Sequence, residues 1–362
     1  MRYLLLSAFA AILAFFGYNR ILPISHLNVF KTNQNTTQKI TTEVITENDM
    51  ATAAAASVSR SVIKKVFAVE QPEGVGVFVR RSIGTPPLRN LSPFLLLDHF
   101  DAHTPGTGFA DHSHRGQATI TYMLQGSSKH EDSEGHSGTI EAGGVQWMTA
   151  GRGVTHAEMP MHGPGIADPK GLQLWVDLPK QHKMTKPTYQ ELSKAGIPSA
   201  FPDGPDGHTE IRVISGKSYG VESPVKPLGG CWYFDIQLKK AGASVFQDIP
   251  AGWTAFLYLL SGKVKVGTSA EAYESYHTLV LSSKSGENGV ALSAAEDNTR
   301  MILCAGEPLN QPVVQYGPFV MTTREEIMQT LQDYSLGTNG FEKAHVWKSK
   351  IAEKLRRSMG QD

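Results

Sequence analysis

From about residue 62 to residue 321 the chain is written in short β-type runs. VFAVE, GVGVFVRRSI, ATITYML, GVQWMTA, GLQLWVDL, EIRVISG, CWYFDIQL, TAFLYLLSGKVKV and HTLVLS are each broken off by Gly, Pro, Asn or Asp. No long helical periodicity lies between them, so the pattern predicts a mostly β protein of sandwiches or barrels rather than β–α–β units. A polar, Pro- and Gly-rich stretch from Lys180 to Thr209 separates two clusters of runs, with room for a short helix around TYQELSKAG. The period then changes. TTREEIMQTLQDYSLG has a capping-box pattern from Thr323 to Glu326, apolar Ile327, Leu331 and Tyr334 at helical spacing, and Gly337 as a stop. Phe341, Ala344, Trp347, Ile351 and Leu355 form a second helical stripe. The expected division is residues 1–59 outside the fold, one barrel over 60–188, another over 189–321, and helices over 322–362.

Composition narrows the classes. The 35 Gly and 20 Pro among 362 residues suit a turn-rich β protein. Lys plus Arg equals Asp plus Glu at 34 each, which removes the electrostatic case for direct nucleic-acid binding. Two cysteines, Cys231 and Cys304, supply neither a disulfide framework nor a Cys-type zinc site. At the N-terminus Arg2 precedes an uncharged apolar run from Tyr3 to Gly17, short for a membrane span and similar to a signal peptide or anchor. The Thr- and Asn-rich stretch up to Asp49 reads as disordered, and Met50 would serve as an alternative start. Two expectations follow: an organellar or membrane-anchored protein if residues 1–20 are used, a soluble one otherwise.

Histidine placement points to chemistry. Eight of the 13 histidines fall between His99 and His162. Within them stand His112-Ser-His114 and His156-Ala-Glu158. On a strand, residues i and i+2 share a face, so each pattern offers two ligands to one side, and pairing the strands would converge all four on one ion. Three neutral imidazoles and a carboxylate suit a divalent transition metal with open positions; iron(II) is the first choice, with manganese, nickel and copper remaining open. Zinc held tetrahedrally by all four would instead be closed and structural. Continuing the parity of His114 places Ile120 and Tyr122 in a barrel interior, provided that no bulge at Gly116 resets the register. Phe94 and Trp147 join them as expected walls of an apolar substrate pocket. The second cluster of runs lacks a His-x-His pair and His277 stands alone, which predicts a metal-free second barrel.

These segments resemble the pirin family. QPEGVGVFVRRSIG, NLSPFLLLDHF, DHSHRG, HEDSEGHSG, VQWMTAGRGVTHAEMP and GLQLWVDLP carry the likeness in the first half. GWTAFLYLLSG, AGEPLNQPVVQYGPFVMTTREEI and NGFEKAHVWKSKI carry it in the second, so that it runs from about residue 64 to 351. The resemblance implies two tandem cupin barrels, the first holding a metal, typically iron, through His112, His114, His156 and Glu158. It also implies one of two roles. One is quercetin 2,3-dioxygenase activity, in which a flavonol and O₂ react with ring opening and loss of carbon monoxide, with Glu158 as base. The other is iron-dependent nuclear co-regulation with transcription factors of the nuclear factor kappa B system, with Arg80 and Arg81 as a candidate basic patch. A monomer in nucleus and cytoplasm is expected. One departure stands out: where cupins often carry a glutamate after the histidine pair, this chain reads Gln117-Ala118-Thr119.

Overall fold

A computed structural model describes residues 56–360. The expectations for the N-terminal apolar run, the polar stretch and Met50 lie outside these residues. Among the described residues, no helix is long and apolar enough to cross a membrane.

The β-type runs assemble into two barrels, each built from a seven-stranded and a four-stranded antiparallel sheet. In the first barrel the large sheet runs Thr188–Leu192, Val145–Thr149, Gln117–Gln125, Lys170–Asp177, Phe94–Asp101, Val77–Arg81, Val69–Glu73. Its small sheet runs Phe109–His114, Val154–Pro160, Ser127–Asp132, Ser137–Glu141. The second barrel repeats the plan, and its interior is filled by aliphatic and aromatic side chains such as Ile236, Leu257, Leu259 and Leu303.

Alternation sorts each strand of the large sheets between two cores. On Gln117–Gln125, Thr121 and Met123 face the interior of the first barrel, whereas Ile120 and Tyr122 face the second barrel. There they join Phe94, Trp147, Leu172 and Leu174, packed against Tyr233, Phe256, Tyr258 and Ile302 of the opposite large sheet. Phe94 meets Phe256 edge-on at 4.9 Å and Tyr122 meets Tyr233 at 6.0 Å. This shared core fuses the barrels.

The expected boundaries change in three places. Strand Val62–Phe67 pairs with His277–Leu281 and so completes the second barrel, although it precedes the first in sequence. Residues 56–59 also belong to the fold, since Ser59 bridges Gly289 and the Ala56 carbonyl accepts a hydrogen bond from Asn288. In TYQELSKAG, Thr188–Leu192 is an edge strand, because Val145–Thr149 offers it a free edge, and only Lys194–Gly196 is helical, as one 3-10 turn. Near the C-terminus, the helix Arg324–Leu336 has its capping box from Thr323 and Glu326 and stops at Gly337 in the left-handed conformation. The second stripe is mostly turns, with helix only over Glu353–Ser358, and Val346 is exposed.

Candidate metal centre

The strand Phe109–His114 lies antiparallel to Val154–Pro160, with His112 opposite His156 and His114 opposite Val154. The ring nitrogens of His112, His114 and His156 converge within 4.8 Å of one another. Nδ1 of His112 donates to the Ala110 carbonyl at 2.8 Å, which leaves its Nε2 lone pair free, 2.9 Å from Nε2 of His156. Two ring nitrogens that close share one proton in the metal-free state, and a cation can take that proton's place. Burial, followed by the neighbouring His112, pushes the pKa values of His114 and His156 well below the usual 6.5. Both rings are therefore neutral near pH 7, the state that ligates. The donor set fits a divalent metal, and among the described residues it is the one group of three such side chains gathered in this way.

Glu158 stands apart from the three rings. A one-residue bulge between His156 and Glu158 sets Glu158 opposite Phe109 rather than Ala110. Its carboxylate accepts from Thr121 Oγ1 at 2.9 Å and from Gln173 Nε2 at 3.1 Å. Thr121 and Gln173 are themselves ladder partners on the large sheet. The structure thus brings together three of the four expected ligands and holds the fourth side chain on the wall of the same cavity.

That cavity has a volume of about 910 Å³, and its walls include Phe109, Thr121, Glu158, Gln173 and Trp175. Trp175 meets His114 edge-on at 5.2 Å. The expected walls Phe94, Ile120, Tyr122 and Trp147 do not line it; all four are buried in the core between the barrels. For Ile120 and Tyr122, Gly116 is the cause. It adopts a left-handed φ of +79° between the two strands, which resets the alternation after His114. A Cβ there would also sit 1.9 Å from the Val320 carbonyl. The residues that replace them, Thr121, Gln173 and Trp175, carry no signal of their own in the sequence beyond being one position out of phase.

In the second barrel, His277 Nδ1 lies near the carbonyls of Glu274 and Ser275, and the ring packs against Phe67.

Two fused seven-plus-four barrels, with a histidine cluster opening into the cavity of the first, define a bicupin protein with a candidate metal centre. Comparison with known proteins agrees. The pirin family model matches residues 76–176 and the pirin C-terminal cupin domain matches 233–340. A pirin-like protein of Solanum lycopersicum is 49% identical over 292 residues, covering 80% of this chain and 97% of the relative. Pirin of Homo sapiens is 46% identical over 296 residues, covering 81% and 98%. A quercetin 2,3-dioxygenase from Acinetobacter baumannii superimposes with a TM-score of 0.70 at 33% identity, covering 77% of this chain and 98% of that one. The chain belongs to the pirin family.

Proposed function

We propose that this protein is an iron(II)-dependent oxygenase of the quercetin 2,3-dioxygenase type, acting on a flavonol or a similar flat enol. The observation that carries the reading is the histidine cluster at a cavity of about 910 Å³ whose wall includes Phe100, Phe109 and Trp175 and the Glu158 carboxylate, held by Thr121 and Gln173. A volume of that order falls in the range of small-molecule sites. His112, His114 and His156 would hold the metal, which supplies Lewis acidity and access to dioxygen when bound.

The remaining work falls to the chain's own side chains. Trp175 and Phe109 offer ring surfaces on the cavity wall to a flat ligand. Glu158 would accept the proton of the flavonol 3-hydroxyl at its carboxylate, and the donors Thr121 and Gln173 hold that carboxylate in place. Val79, Leu95 and Phe100 on the cavity wall exclude bulk water.

The test is oxygen uptake by iron(II)-loaded protein with quercetin, beside a Glu158→Gln variant. Turnover by the wild type and its loss in a variant that keeps its metal supports the reading. No oxygen uptake by fully loaded wild-type protein across a flavonol panel overturns it and leaves a metal-binding protein without this chemistry, such as a co-regulator.

A further inference from the structure

Gln117 follows Gly116 directly and is fully buried. Its Nε2 lies 2.9 Å from Nδ1 of His114 and 3.1 Å from the carbonyl oxygen of Pro318, and donates to both. Its Oε1 is buried with no hydrogen-bond partner. A buried amide oxygen without a donor is costly and so calls for a reason.

Pro318 sits in the turn of the hairpin formed by Val314–Tyr316 and Phe319–Met321. Val313, Gln315, Gly317 and Pro318 line the same cavity as the histidines. The hairpin is also tied to the loop after His114 through Val320 N to the Arg115 carbonyl at 3.0 Å. Lys183 Nζ bridges the carbonyls of Gly116 and Val320 at 2.8 and 3.0 Å.

The donor count makes the amide a two-position device. With Nε2 facing His114, the ring's Nδ1 accepts, so the ring proton resides on Nε2. Nδ1 is the nitrogen turned to Gln117, so Nε2 is the one left for a cation, and ligation there requires the proton on Nδ1 and an acceptor facing it. A half-turn of the Gln117 amide supplies that acceptor, the Oε1 that now has no partner. The same half-turn removes the shorter of the two hydrogen bonds to the Pro318 carbonyl and leaves it only the Arg115 N–H at 3.4 Å. We infer that Gln117 is a positioning residue that sets the tautomer of His114 and couples metal occupancy to the hairpin at the cavity wall. The inference rests on the reading of the three histidines as a metal centre.

The experiment uses the full chain. Iron(II) affinity is measured anaerobically against a competing chelator for wild type, Gln117→Glu and Gln117→Met, and amide hydrogen exchange over residues 313–321 is followed with and without iron(II). Ionised glutamate offers only acceptors to His114 and should bind iron about tenfold more tightly or better; methionine offers only a weakly accepting thioether and should bind about tenfold more weakly, within the usual 10- to 100-fold effect of such partners. Iron should raise exchange of the hairpin in wild type and leave it unchanged in Gln117→Met. Equal affinities in all three proteins, or wild-type exchange indifferent to iron, overturn the coupling while leaving the metal centre intact. A wild-type protein that binds no divalent metal overturns both.

Discussion

Arg115, the residue after the second histidine of the cluster, places its guanidinium 2.8 Å from the carboxylate of Asp333 on the C-terminal helix, with both side chains almost fully buried. The same guanidinium donates to the carbonyls of Arg152 and Asn339 at 2.6 Å each and lies 4.4 Å from the centre of the Phe341 ring. The C-terminal helix is thereby built into the support of the strand that carries His112 and His114. Asp333→Ala leaves a buried cation without its partner and should cost about 3–5 kcal/mol, read from urea unfolding. A cost below 1 kcal/mol would show that the helix is a mere appendage.

The three histidines should act as a unit toward metal. His112→Ala, His114→Ala or His156→Ala removes one of three convergent donors, and elemental analysis of each purified variant should show metal near background. Retention of a full equivalent by any one of them would remove that residue from the centre.

Ile120 separates the two views of the pocket. It is fully buried between the barrels and not on the cavity wall. Ile120→Ala should therefore lower stability by about 2–5 kcal/mol through the cavity it opens while metal content stays at wild-type level. A change in flavonol KM with stability unaltered would place it at the site after all.

Trp175 is the opposite case. It lines the cavity edge-on to His114, so Trp175→Leu should raise KM for a flavonol about 3- to 10-fold, the scale of one aromatic contact. Metal content should not change.

Stability of the metal-free protein should fall with acid. Burial pushes the pKa of His99 down to about 4 and those of His114 and His156 well below 6.5. The unfolded chain then binds protons first, so these groups leave stability intact above pH ~6.5 and reduce it as pH falls toward their folded values. Asp98 acts in the other direction, because burial raises it to about 6 even though Arg81 holds it by two hydrogen bonds. Three histidines against one aspartate make the net effect a loss of stability between pH 7.5 and 5. Urea midpoints at the two pH values check it; a midpoint that rises in acid reverses the sign.

Much of the architecture and the histidine cluster was legible in local sequence, because the features involved are local. The runs that alternate at period two became strands, the capping box at Thr323 and Glu326 formed, and His-x-His with His-x-Glu marked two strands whose pairing brings three rings together. What failed depended on partners far away in the chain. Nothing in VIKKVF says that it completes the second barrel, since its register is set by His277–Leu281 more than 200 residues later. TYQEL became a strand because an edge was free beside it. A single left-handed glycine exchanged the two faces of Gln117–Gln125, so parity carried forward from His114 named the inter-barrel core instead of the cavity wall. Residue type and spacing determined which side chains this protein has to offer a metal. Tertiary packing decided what surrounds them, because side-chain direction follows from backbone dihedrals and strand pairing that no local pattern contains.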